Sequence, residues 1–122
     1  MMSIFNDRKH HMHIMSVKEE YYNMLKSGKK TIELRLFDDK RQLIKIGDII
    51  EFHNGSDEDD NFQAKVIGLH RANNFEELCK KIKIGNAGFE DKDYLMKILE
   101  EFYPIEKQNK NGVVGIEVIK IS

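Results

Sequence analysis

Thr31-Ile32-Glu33-Leu34-Arg35-Leu36 alternates polar and apolar side chains without a break, which is the two-residue period of a β-strand. Ile32, Leu34 and Leu36 are expected to face a core, with Thr31, Glu33 and Arg35 together on the opposite face. Just upstream, Tyr21, Tyr22, Met24 and Leu25 recur at helical spacing and Ser27-Gly28 closes the run, glycine being the usual left-handed residue after a helix. Lys30 therefore stands where helix gives way to strand. A lysine, a carboxylate and an arginine converge there within six residues. Two arrangements satisfy this spacing: a solvated strand face with one ion pair, or a pocket in which Arg35 offers a planar fork and Glu33 accepts from an exocyclic amine. Lys30, Thr31, Glu33 and Arg35 are the candidate ligand-binding residues.

Working outward, His11 to Val17 reads as a short edge strand. Ser16 is expected to cap the following helix, with Glu19 as its capping-box partner. Asp38-Asp39-Lys40 turns the chain, Gly47-Asp48 leads into a strand at Ile49–His53, and Asp57 to Asp60 reads as a solvated acidic loop. Gln63 to His70 is a third strand. Asn74 caps a short helix from Phe75 to Ile82, and Asp91 opens a longer one reaching about Tyr103, where Pro104 forbids much continuation. Val113 to Ile121 closes the chain as a strand. About five short strands and three helices, interleaved with tight turns, point to an α+β fold: a small curled sheet or partly open barrel with flanking helices.

The chain has 122 residues, about the length of one domain; residues 1–10 read as a flexible lead-in and 11–122 as the domain. Twenty basic and twenty-one acidic residues leave a net charge of -1, so no global charge draws the protein to nucleic acid. Locally the balance differs. Lys26, Lys29, Lys30, Arg35, Lys40, Arg41 and Lys45 stand against only Glu33, Asp38 and Asp39, enough cation to track a phosphate backbone. A single cysteine, Cys79, excludes an internal disulfide. No apolar run approaches a membrane span and no signal peptide is apparent, so a cytoplasmic location is expected. His10, His11 and His13 lack carboxylate or cysteine partners at metal-binding spacing; neither a resident metal nor a cofactor is expected. Arg71, at the end of a strand, and Tyr103, at the end of a helix, are further candidates for the ligand site, Tyr103 as a ring on which a base can stack.

The run Gly28-Lys29-Lys30-Thr31-Ile32-Glu33-Leu34-Arg35, followed by Ile44-Lys45-Ile46-Gly47-Asp48-Ile49-Ile50-Glu51-Phe52, resembles the ASCH domain. Gly68-Leu69-His70-Arg71, Phe75-Glu76-Glu77-Leu78, Phe102-Tyr103-Pro104 and Val113-Val114-Gly115-Ile116-Glu117 extend the likeness over nearly everything from His11 to Ile121. The resemblance implies a PUA-like small mixed β-barrel with a cleft between barrel and helix, carrying the motif's lysine, glutamate and arginine. It also implies a role in binding RNA or a modified nucleotide. Small bacterial members of the family act as hydrolases, one on the amide of N4-acetylcytidine and one on RNA. On that likeness the catalytic positions would be Lys30, Glu33 and Glu90. Glu33 stands where the amidohydrolase has its threonine nucleophile, so a hydrolase built on this chain would use Glu33 as a general base.

Overall fold

A computed structural model describes residues 11–122; the expected lead-in at 1–10, and His10 with it, lies outside the described residues. One five-stranded sheet organises the chain. Its strands are β1 (Met12–Val17), β2 (Ile32–Leu36), β3 (Ile49–Asn54), β4 (Asp57–Ala72) and β5 (Val113–Lys120), in spatial order β1-β3-β4-β5-β2. Among the described residues only β1 with β3 is a parallel pair; the other three pairs are antiparallel. Four helices accompany the sheet: α1 (Glu19–Ser27), α2 (Phe75–Lys81), α3 (Lys92–Phe102) and α4 (Ile105–Asn111). The result is the expected α+β arrangement, a five-stranded curled half-barrel with helices against it. No helix among the described residues is long and apolar enough to cross a membrane.

The curl divides the apolar side chains into two clusters. Met15, Val17, Ile50, Phe52, Phe62, Ala64, Val66, Val114, Ile116 and Val118 fill its inside together with Tyr22 and Leu25 of α1. Ile32, Leu34 and Val113 face the other way, onto Phe75, Leu78 and Cys79 of α2 and Leu95 and Leu99 of α3. β2 thus has a covered layer on each side. Its apolar residues meet the second cluster, as the alternation predicts. Its polar residues lie across from the first: Glu33 pairs with Ile116 and Arg35 with Val114, and residues directly opposite in an antiparallel pair share a face.

Three local expectations are corrected. Ser16 does not cap α1. It belongs to β1, where its neighbours register with β3 through Val17 opposite Asn54, and Lys18 precedes the helix without a side-chain cap. The sheet ladder outcompetes the local capping signal. Asp57 to Asp60 is not a loop but the start of a sixteen-residue β4, entered through the tight turn Gly55-Ser56. A Cβ on Gly55 would stand 3.0 Å from the Val17 carbonyl oxygen, so glycine permits the turn to press on β1 and donate its N–H to that carbonyl at 2.7 Å. Asp60 is tethered in the same region, accepting from the Tyr22 hydroxyl at 2.8 Å and the Lys26 ammonium at 2.9 Å, which hold its carboxyl below the ordinary range. Finally, Pro104 both ends α3 and starts a fourth helix, α4, at whose N-cap it sits with φ -52°; a missing N–H costs nothing where no intrahelical partner exists. The expected left-handed Gly28 is found, with φ 86°.

Asp48 pins β1 to the turn before β3. Fully buried, it accepts from the His11 and Lys45 N–H groups at 3.1 and 2.9 Å and meets His13 Nε2 at 2.9 Å. Burial pushes its carboxyl up, but the hydrogen bonds from His13, Lys45 and His11 outweigh that and bring it down to about 2. A depressed folded-state pKa gives stability that is full above the unfolded value near 4 and is lost as pH falls toward 2. Asp48→Asn should therefore cost about 2 kcal/mol at neutral pH. Urea denaturation across pH should show the gap from wild type closing between pH 4 and 2.

Candidate functional site

Glu33 is 5% exposed and Lys30 4%, so the charged side of β2 is not a solvated face. Burial of a lone carboxylate is prohibitive, and Glu33 has two cations. Arg35 Nε donates to Oε2 at 2.7 Å and Lys30 Nζ lies 3.4 Å from Oε1. Burial alone pushes the Glu33 carboxyl up, but the charges of Lys30 and Arg35 pull it below the usual carboxylate range. The acid is kept ionised, with lone pairs left on both oxygens.

Lys30 is fully engaged. An ammonium has three N–H donors, and its acceptors here are the Ile32 carbonyl at 2.9 Å, the Ala87 carbonyl at 2.7 Å and Glu33. It is also 5.8 Å from the Tyr21 ring centroid. Burial lowers its pKa, and Glu33 opposes that shift. Ala87 belongs to the 3-10 turn Ile84–Ala87, so Lys30 ties that turn to the entrance of β2. Thr31 makes the same connection through its backbone, donating to the Asn86 carbonyl at 2.8 Å and accepting from Val118 at 2.9 Å.

Arg35 has donors to spare. Nη2 reaches the Ser16 carbonyl at 3.0 Å, which joins β2 to β1, the two strands at opposite edges of the sheet. A guanidinium has five N–H groups; among the described residues only Glu33 and Ser16 accept from it. Its pKa is raised by Glu33 against the opposing effect of burial.

These groups line a cavity of about 230 Å³. Lys30, Glu33 and Arg35 supply its charged groups, and Ser16, Val17, Lys18, Tyr21, Phe89, Ile98, Phe102 and Tyr103 line it with them. Burial raises the Tyr103 phenol pKa. The cavity therefore offers one ionised acceptor, a fork of donors and several aromatic faces.

Of the sequence candidates, Lys30, Glu33, Arg35 and Tyr103 line the cavity. Thr31 lies one residue before β2 and is not among the lining residues. Arg71 stacks on the Phe37 ring, 3.8 Å from its centroid, and Glu90 is exposed beside Phe89; neither lines the cavity. His11 and His13 both attach to Asp48, and no group of three metal-ligating side chains occurs among the described residues. Tyr21, Phe89 and Phe102 also line the cavity and are not among the ligand-site candidates drawn from the sequence. The Tyr94, Ile98 and Phe102 spacing on one helical face was the available signal for one wall.

The ASCH domain pattern matches residues 15–122. Among solved structures, the hypothetical protein PH0355 is 37% identical with a TM-score of 0.78, over 91% of this chain and 99% of its own. Protein PF0455 from Pyrococcus furiosus is 33% identical with a TM-score of 0.72, over 91% of this chain and 98% of its own. The ASCH protein of Zymomonas mobilis shares the fold at 14% identity, with a TM-score of 0.64 over 88% of this chain and 66% of its own. No curated protein matches the chain.

Glu33 balances two buried cations, and removing one partner of such a group costs about 3–5 kcal/mol. Glu33→Gln should lower the unfolding free energy by about 3 kcal/mol, read from the urea midpoint at unchanged m-value.

Proposed function

As this chain belongs to the ASCH domain family, we propose that it binds RNA or a nucleotide by taking one base into the cavity lined by Lys30, Glu33 and Arg35. The observation that carries this reading is the ionised Glu33 carboxylate beside the unfilled donors of Arg35, enclosed by Tyr21, Phe89, Phe102 and Tyr103. A nucleobase edge presents that complement: an exocyclic amine to donate to Glu33, ring nitrogens or carbonyls to accept from Arg35, and a π-face for the aromatic walls. A volume of about 230 Å³ falls below the roughly 300–1,000 Å³ of sites for drug-sized ligands. It suits a single base better than a stacked pair. The cations also outnumber the carboxylate in the cavity, which favours a ligand bearing phosphate.

Hydrolysis of an acylated nucleoside or of RNA is less well supported. A general base works best with a pKa near the working pH, and Glu33 is shifted away from it. Two N–H donors of Lys30 are held by the Ile32 and Ala87 carbonyls and its charge is paired with Glu33 at 3.4 Å, so little of it is left to stabilise an oxyanion. Exposed Glu90 is off the cavity. Lys30 and Glu33 act on this reading as the frame that orients Arg35 and supplies the acceptor.

A thermal-shift panel of nucleosides, nucleotides and short RNAs tests the proposal. A ligand at 100 times its dissociation constant should add about 2.7 kcal/mol, several degrees in Tm for a domain of this size. The shift should disappear in Arg35→Ala. An equal shift in that variant would move the ligand elsewhere; no shift with any compound would reject the nucleotide reading.

A further inference from the structure

α3 carries two apolar stripes. Leu95 and Leu99 are buried in the second cluster. Tyr94, Ile98 and Phe102 fall at i, i+4 and i+8 and so share the neighbouring face. This second stripe is not covered: Tyr94 is 58% exposed and Phe102 54%. Yet it is continuous with the cavity. Ile98 and Phe102 line the cavity directly. Tyr94 joins it through Phe89, at 6.3 Å between ring centroids, and Phe89 in turn meets Tyr21 at 5.6 Å. Eight residues of helix separate the two exposed rings, about 12 Å at 1.5 Å per residue. Lys18 places its ammonium 5.5 Å from the Phe102 ring centroid. The acidic residues Asp93, Glu100 and Glu101 gather with Met96 and Lys97 around a separate hollow.

Resting on the cavity reading above, we propose that Tyr94 and Phe102 are stacking platforms for the bases flanking the one held in the cavity, so that the ligand is a single-stranded oligonucleotide and not a free nucleoside. Exposed rings on the rim accept any base through its π-face. Lys18 supplies the cation for the phosphate adjoining the base on Phe102. A paired base has both faces covered by its neighbours, so the platform selects unpaired strands.

The test is fluorescence anisotropy with labelled, mixed-sequence RNAs of one, three and seven nucleotides, single-stranded and as a duplex. Tyr94→Leu and Phe102→Leu are compared with wild type. Both positions are exposed and leucine keeps apolar bulk, so both variants should fold, which circular dichroism would check. Affinity should rise from one to three nucleotides and change little beyond that. Tyr94→Leu, whose ring is outside the cavity lining, should lose about five- to a hundredfold for the trinucleotide while binding the mononucleotide as wild type does; Phe102→Leu, whose ring also lines the cavity, should weaken both. Mononucleotide binding with no gain from length would overturn the platform and leave the cavity reading intact. So would variants that hold the trinucleotide as tightly as wild type, or a duplex bound equally well. Failure of every RNA to bind would overturn both readings and return the stripe to an apolar peptide partner.

Discussion

Two cations sharing one buried carboxylate hold this site together. Glu33 could not lie at 5% exposure without Lys30 and Arg35, and each cation does a second job that the fold needs. Lys30 binds the Ile32 and Ala87 carbonyls and so fixes the 3-10 turn against the entrance of β2. Arg35 reaches the Ser16 carbonyl and joins the two edge strands of an open sheet. Unpaired sheet edges invite association with other chains; here the gap between them is bridged by a side chain that also faces a cavity. On the proposed reading, stability and recognition are therefore coupled at Arg35.

That coupling explains the chemistry left to the cavity. Lys30 has no donor to spare, whereas Glu33 keeps lone pairs and Arg35 keeps N–H groups. On the proposed reading the ligand brings a donor and an acceptor side by side and is flat enough to lie among Tyr21, Phe89, Phe102 and Tyr103. The depressed Glu33 pKa preserves the acceptor through ordinary pH changes. The same depression makes it a weak base, so binding and proton abstraction pull in opposite directions at this residue.

Where the chain's pattern was dictated by local physics, the sequence was readable. Alternation along Ile32–Leu36 assigned β2 and its apolar face, and Gly28 marked the end of α1. Non-local pairing was less legible. Ser16 looked like a helix cap because its hydroxyl precedes an acidic residue, but the parallel ladder with β3 claimed it for β1. Asp57 to Asp60 looked like a loop because four successive acids are poor strand formers; pairing with β3 and the tethers of Asp60 to Tyr22 and Lys26 override that preference. Within the site, Glu33 and Arg35 were grouped by strand period; Lys30, three residues from Glu33 and out of phase with it, was placed by the helix-to-strand boundary and the ASCH resemblance. Tyr21 and Phe89 come from different elements and meet only in three dimensions, so no spacing rule could pair them.

Everything at this site rests on Glu33 staying ionised between Lys30 and Arg35 as the acceptor at the cavity wall. Its side-chain carboxyl carbon, followed by ¹³C NMR across pH with and without a mixture of the four nucleoside monophosphates, reports on that directly. Glu33 should titrate below the ordinary glutamate range, and its resonance should move on adding nucleotide while those of exposed glutamates such as Glu100 stay in place. A Glu33 that titrates at or above the ordinary range, with a resonance indifferent to nucleotide, would contradict that role.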